Sequence, residues 1–283
     1  MKEELLGFTS KTFSKLLTKG IVSLPGILEW ASVQGFGWVE IRDPMASMQD
    51  ERLLELDTVC RQKGLVVHYA WDGSDLLSPS DEQLFARGIR NASRLRSARF
   101  SRITIAGNVL KADRMKKGYS REEVDLISHR VAQYAHTAEA FGITPVYEHS
   151  YEPLRGDGQT FYGIVELLQS AEEMSLVFDP ANFLNLKPPR QVPSLDAMIE
   201  FYSNFSPRIP YVHLKSVGVE GLLPTLEIQD DREAACIHQM WKEKKLLCIE
   251  LPETDDLEKG MRNILSAKEK LLRLKENTRL SGI

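Results

Sequence analysis

The sequence is short of cysteine, of histidine and of long apolar runs, and it carries no excess of positive charge. Three cysteines, Cys60, Cys236 and Cys248, are odd in number, far apart and set in helical or strand-like apolar patterns, so they read as reduced core thiols. No stretch approaches the roughly 18 consecutive apolar residues of a membrane span, so no membrane partner is expected. A formal net charge of -4, with 27% charged residues, disfavours general attraction to a phosphate backbone, and no nucleic-acid partner is expected. No GxGxxG or Walker pattern occurs: Gly35-Phe36-Gly37 before Trp38 and Gly142 before Thr144 are turn glycines, so neither a dinucleotide nor a P-loop nucleotide is indicated. The lack of a Gly-rich phosphate site at a helix start favours an unphosphorylated substrate. The opening residues Met-Lys-Glu-Glu-Leu-Leu-Gly-Phe carry acids where a secretory signal has an apolar centre, and cytoplasmic residence is the expectation.

What the chain does have is alternation. Apolar runs read as strands at 5–8, 38–42, 66–69, 102–106, 145–148, 176–179, 211–214 and 247–251. Helical patterns fill the spaces at 25–34, 51–63, 81–96, 121–141, 161–174, 194–204, 231–244 and 257–275. Ser80 before Asp81-Glu82 and Ser120 before Arg121-Glu122-Glu123 are helix start signals, and Gly64 and Gly142 stand where helix ends need a left-handed residue. Hydrophobic residues make up 42% of the chain, enough for a substantial core, and no composition break marks a linker. Eight βα units in series predict an α/β fold, a single (β/α)8 TIM barrel over residues 1–283. The Lys-, Leu-, Arg- and Glu-rich stretch from Ser266 onward reads as a solvated terminal helix face.

Four consecutive strand-like runs end on metal-capable groups: Glu148, Asp179, His213 and Glu250. In a parallel barrel the strand C-termini gather at one face, so these endings can converge on one ion. Strand alternation checks the set. Val146 shares a face with Glu148, Val177 with Asp179, Tyr211 and Lys215 with His213, and Cys248 with Glu250; Tyr147, Phe178, Val212, Leu214, Ile249 and Leu251 face the helices. Three carboxylates and one imidazole make a hard, mostly oxygen site suited to manganese first, with magnesium, cobalt or zinc as alternatives. A strand-end acid taken singly more often caps a helix or pairs with Lys or Arg; the matched set of four is what points to a metal.

At these residues the chain resembles the xylose-isomerase-like barrel superfamily of sugar isomerases, epimerases, inosose dehydratases and the abasic-site endonucleases of AP endonuclease family 2. The resemblance runs from Leu6-Gly7-Phe8-Thr9 and Gly37-Trp38-Val39-Glu40-Ile41 to the last strand. It is most specific at Tyr147-Glu148-His149, Phe178-Asp179-Pro180-Ala181-Asn182-Phe183, Val212-His213-Leu214-Lys215 and Ile249-Glu250-Leu251-Pro252. It implies that Glu148, Asp179, His213 and Glu250 bind one divalent ion and that Glu148 and Glu250 also transfer protons. Two departures stand out. Asn182 occupies a position where many of the epimerases have His, and Ser216 follows Lys215 where the usual pattern has Asp. Asn182 can still hydrogen-bond a hydroxyl but cannot carry a proton.

Further candidates are Lys215, to polarise a carbonyl or stabilise an oxyanion, and His68, Glu40, Arg42, Asn182, Glu152 and Arg155 as substrate-binding groups. Against these stand plainer readings: His68 as a packed core histidine, Glu40 and Arg42 as a mutual pair, Glu152 and Arg155 as ordinary surface-loop residues. His129, His136, His149 and His238 read as non-site residues. The expected activity is metal-dependent isomerisation or epimerisation of a keto-sugar or related polyol by proton abstraction next to a carbonyl, through an enediolate. The alternative is a lyase: dehydration of an inosose-like polyol or β-elimination of a 3-keto-glycoside. An abasic-site nuclease needs more strand-end histidines and a basic face, and a non-catalytic sugar-binding barrel leaves the four-residue set without purpose. The partner expected is a small carbohydrate, with a homo-oligomer open; the sugar, its stereocentre and the metal's identity are not legible.

Overall fold

The computed structural model describes residues 3–42, 48–70, 81–95, 98–103, 120–148, 175–181, 195–218, 221–228 and 230–280. Its strands are β1 (Glu3–Thr9), β2 (Phe36–Arg42), β3 (Val66–Ala70), β4 (Ala98–Ile103), β5 (Thr144–Glu148), β6 (Ser175–Phe178), β7 (Tyr211–Leu214), the hairpin β8 (Val217–Gly218) and β9 (Gly221–Leu222), and β10 (Leu246–Ile249). The described α-helices are α1 (Ser14–Thr18), α2 (Leu24–Val33), α3 (Asp50–Lys63), α4 (Asp81–Arg94), α5 (Arg121–Ala140), α6 (Leu195–Phe205), α7 (Asp231–Lys242) and α8 (Leu257–Leu280). Eight strands close a parallel ring in the order β1-β10-β7-β6-β5-β4-β3-β2. The expected TIM barrel is therefore what the chain forms.

Local chemistry accounts for the element ends. Ser120 and Glu123 form a reciprocal capping box at the start of α5, an arrangement whose loss typically costs about 0.5–2 kcal/mol. Gly64 ends α3 at φ 59 and Gly142 follows α5 at φ 70, conformations glycine adopts without a Cβ penalty. Strand β4 begins at Ala98, earlier than expected, because Arg99 and Ser101 break the apolar run that marks the other strands; Phe100 and Arg102 pair with Thr144 and Val146. Residues 104–106, the helix expected at 161–174 and the cap expected at Ser80 lie outside the described residues. The 3-10 turn Ser10–Phe13, the short α1 and the β8–β9 hairpin carry no periodic signal, being shorter than one amphipathic repeat.

Ring contacts locate the interior. Trp38 on β2 and Tyr211 on β7 are not on neighbouring strands, yet their ring centroids are 5.2 Å apart, so the contact crosses the barrel. With Val146, Val177 and Cys248 they form a buried floor separate from the main core. Tyr147, Phe178, Val212, Leu214, Ile249 and Leu251 sit in the other core, between barrel and helices, as strand alternation requires. The floor puts the polar strand ends one pleat above an apolar plug, at the C-terminal mouth.

Trp38 fits because its neighbour on β1 is Gly7: a Cβ there would overlap three carbons of the indole. Gly7→Ala is expected to destabilise the fold by about 1–3 kcal/mol through overpacking. The cost should shrink in a Trp38→Leu background, and a double-mutant cycle from urea denaturation measures the coupling. Equal costs in both backgrounds would mean the indole does not set the requirement for glycine.

Candidate metal centre

The strand ends place Glu148, Asp179, His213 and Glu250 so that one ligand-capable atom from each lies within 4.8 Å of all the others, every residue being buried. That spacing passes a simple test: atoms each 2.0–2.6 Å from one ion can be no more than about 5.2 Å apart. Nδ1 of His213 lies 3.0 Å from Glu148 Oε1, 2.8 Å from Glu250 Oε2 and 3.8 Å from Asp179 Oδ2. Asp179 Oδ1 accepts the Ala181 backbone N–H at 3.1 Å, which leaves Oδ2 on the cluster side. The donor set is three carboxylate oxygens and one imidazole nitrogen, which fits a hard divalent ion.

Cations close the periphery. Lys215 Nζ is 2.5 Å from Asp179 Oδ2 and 3.4 Å from Glu250 Oε2. Arg42 Nη2 and Lys11 Nζ approach the other oxygen of Glu250, at 2.9 and 3.3 Å. Burial works against every charge here, but the partners outweigh it. Arg42, Lys215, His213 and Lys11 hold the Glu250 carboxyl well below its ordinary range. Asp179, Glu250 and Glu148 hold the Lys215 ammonium above its own. Glu40, Glu250 and Glu148 push the His213 imidazole well above its usual value, which favours its protonated form.

The remaining expectations sort by position. The Lys215 side chain is 7% exposed and reaches the same space as the cluster of four. Glu40 is fully buried, its carboxylate engaged by Arg42, Tyr211 and His213. Arg42 pairs with Glu40 at 3.0 Å while reaching Glu250. His68 packs edge-on against Trp38, centroids 4.7 Å apart, in the wall beside the floor. Asn182, Glu152, Arg155 and His149 lie outside the described residues. Ser216 turns away from the ligands: its hydroxyl donates to the Glu227 carbonyl at 2.9 Å and accepts the Glu227 N–H at 2.7 Å.

Sequence reading missed Lys11. It stands two residues past the end of β1, where a polar run after an apolar strand is the only signal. Glu40, His213 and Cys248 also bring three ligand-capable atoms together. Glu40 Oε2 is taken by the Tyr211 hydroxyl and by His213, and burial pushes the Cys248 thiol up to about 11. This inner group lies against the cluster of four through His213, which both share.

No protein-family model and no curated protein sequence matches the chain. Solved structures do. A xylose isomerase domain protein from Planctomyces limnophilus is 16% identical, with 98% of this chain and 99% of that one covered at a TM-score of 0.70. D-allulose 3-epimerase from Methylomonas sp. is 14% identical, covering 97% and 99% at 0.69. A xylose isomerase-like TIM barrel protein from Mycobacterium smegmatis, in complex with magnesium, is 18% identical, covering 89% of each chain at 0.62. The likeness is one of fold: the chain shares the TIM-barrel fold of these proteins.

A divalent ion must displace the His213 Nδ1 proton, so affinity should rise with pH, by up to about tenfold per unit, until that nitrogen is free. In the ion-free protein the sign is opposite. A folded pKa raised above the ordinary 6.5 gives stability that is full below that value and lost as pH climbs through the folded one. Calorimetry with manganese at neutral pH, in buffers of differing ionisation enthalpy, is expected to show release of about one proton per ion. His213→Ala should abolish that release and weaken binding. Affinity independent of pH would remove Nδ1 from the ligand set.

Proposed function

We propose that the protein is a divalent-metal-dependent isomerase or epimerase of a keto-sugar or related polyol. The observation that carries this reading is the convergence of buried Glu148, Asp179, His213 and Glu250 at the barrel mouth. Glu148, Asp179, His213 and Glu250 would hold the ion, manganese by preference for this oxygen-rich set, with magnesium supported by the Mycobacterium smegmatis neighbour. When bound, the ion supplies Lewis acidity that makes the hydrogen next to a carbonyl removable. Solved neighbours of similar fold are a D-psicose 3-epimerase in the presence of D-fructose and a D-allulose 3-epimerase in complex with D-allulose, which favours a ketose-sized carbohydrate as substrate.

The chain's own residues supply the rest. Glu148 and Glu250 flank His213 from two strands, as a pair that takes and returns a proton needs. Arg42, Lys215, His213 and Lys11 hold Glu250 in its ionised form, as a metal ligand requires. Lys215 offers a charged donor to an oxygen that gains negative charge, and Asp179 fixes where its ammonium sits. Burial of Glu148, Asp179, His213 and Glu250 strengthens each of these interactions.

Ser216 favours a second reading. In place of the acidic neighbour that the epimerase pattern gives Lys215 stands a serine committed to Glu227. Lys215 is then free of an acidic sequence neighbour and can assist departure of a β-oxygen, which makes elimination from a polyol or 3-keto-glycoside the alternative. Both readings share the first proton abstraction.

Incubating the metal-loaded protein in deuterium oxide with ketoses, inososes and 3-keto-glycosides tests them together. Deuterium at one carbon without loss of water or aglycone supports isomerisation or epimerisation; loss of either supports elimination. Glu148→Gln and Glu250→Gln should retain some ion yet exchange the substrate proton about 10²–10⁴-fold more slowly. Metal-replete variants at both positions that exchange at the wild-type rate would defeat the mechanism.

A further inference from the structure

We propose that Glu40 is a positioning residue for the metal centre, its carboxylate holding His213 as the tautomer that carries hydrogen on Nε2 and turns the Nδ1 lone pair toward Glu148, Asp179 and Glu250. The inference rests on the ion site of the proposed function and on no step of the reaction.

Three contacts fix the direction of the hydrogen bond. Glu40 Oε2 lies 2.9 Å from His213 Nε2 and also accepts the Tyr211 hydroxyl at 2.6 Å. Its Oε1 accepts from Arg42 Nε at 3.0 Å. The guanidinium favours the ionised carboxylate, and an ionised carboxylate only accepts. The hydrogen between Glu40 and His213 therefore belongs to the imidazole, and Nε2 cannot bind an ion. Nδ1 is left to face the other three ligands, at 2.8 to 3.8 Å.

The same contacts fix the plane of the ring. His213 is held from behind by Glu40 and from the side by Tyr211, whose ring centroid is 5.3 Å away at 65°. Glu40 is itself immobilised: it reaches across the barrel from β2 to β7, and Arg42, two residues on, is anchored both to it and to Thr9 Oγ1 at 3.2 Å. A carboxylate behind a ligating imidazole orients it and raises its basicity, and losing such a partner typically costs 10–100-fold in metal affinity.

The test reads ion binding and tautomer, and leaves turnover aside. Manganese affinity by calorimetry is expected to fall about 10–100-fold in Glu40→Leu. Glu40→Gln, which keeps an acceptor oxygen, should recover part of the loss. Tyr211→Phe removes the other donor to the same oxygen; it should lower thermal stability while changing affinity by less than about twofold, well short of the loss of the imidazole's partner. Nitrogen-15 spectra of histidine-labelled, magnesium-loaded wild-type protein should show hydrogen on Nε2 of His213.

Hydrogen on Nδ1 in the loaded protein would overturn the proposal, as would a folded Glu40→Leu with wild-type affinity. Should Glu40→Leu fail to fold, the wild-type spectrum and the Glu40→Gln affinity decide. A protein that binds no divalent ion would sink the proposed function and this inference together. One that binds the ion without acting on any sugar would leave Glu40 in its place.

Discussion

Carboxylates crowded inside one barrel mouth repel each other, and the rest of the site is organised by the need to neutralise them without water. Glu40, Glu148, Asp179 and Glu250 are each 5% exposed or less. Isolated in such a place, a carboxylate would take up a proton in preference to staying charged. Here each stays close to a cation: Arg42 spans Glu40 and Glu250, Lys215 spans Asp179 and Glu250, and His213 stands among all four. Bridging is what makes the cluster tolerable. Removing one partner of a buried pair costs about 3–5 kcal/mol, and each of these cations serves two or more carboxylates.

The apolar floor is the second half of that arrangement. Trp38, Tyr211, Val146, Val177 and Cys248 fill the barrel below the charges and close the polar groups off on that side. Tyr211 joins the two layers, its ring packed on Trp38 and its hydroxyl on Glu40. Gly7 on β1 makes room for the indole in that floor.

The ring, the alternation and the cluster of four metal-capable residues were legible because each rests on a period. A two-residue repeat assigns Val146, Val177 and Cys248 to the interior and Tyr147, Phe178 and Ile249 to the helices, and the two cores divide in that way. The start of β4 was not legible, because Arg99 and Ser101 interrupt its apolar pattern and tertiary pairing with β3 and β5 overrides it. Lys11 was missed for a related reason. Its role depends on Glu250, 239 residues away, and no local pattern encodes a contact of that separation. At Glu40 the strand parity gave the direction of the side chain, and what it meets there depends on how far β7 has advanced across the barrel, which only the register reveals.

The position of His213 would let one architecture serve with and without an ion. Among the described ion pairs, the four carboxylates face Lys11, Arg42, Lys215 and the His213 ring. A divalent ion that arrives as Nδ1 loses its proton raises the local charge by one unit, half of what it carries. The change falls on an atom facing Glu148, Asp179 and Glu250, while the Nε2 side keeps its hydrogen and its partner Glu40. Charge can then be exchanged on one side of a single ring without repacking the floor beneath it. A site built with Lys in that position would lack this property, because an ammonium has no second nitrogen to keep bonded while the first is released.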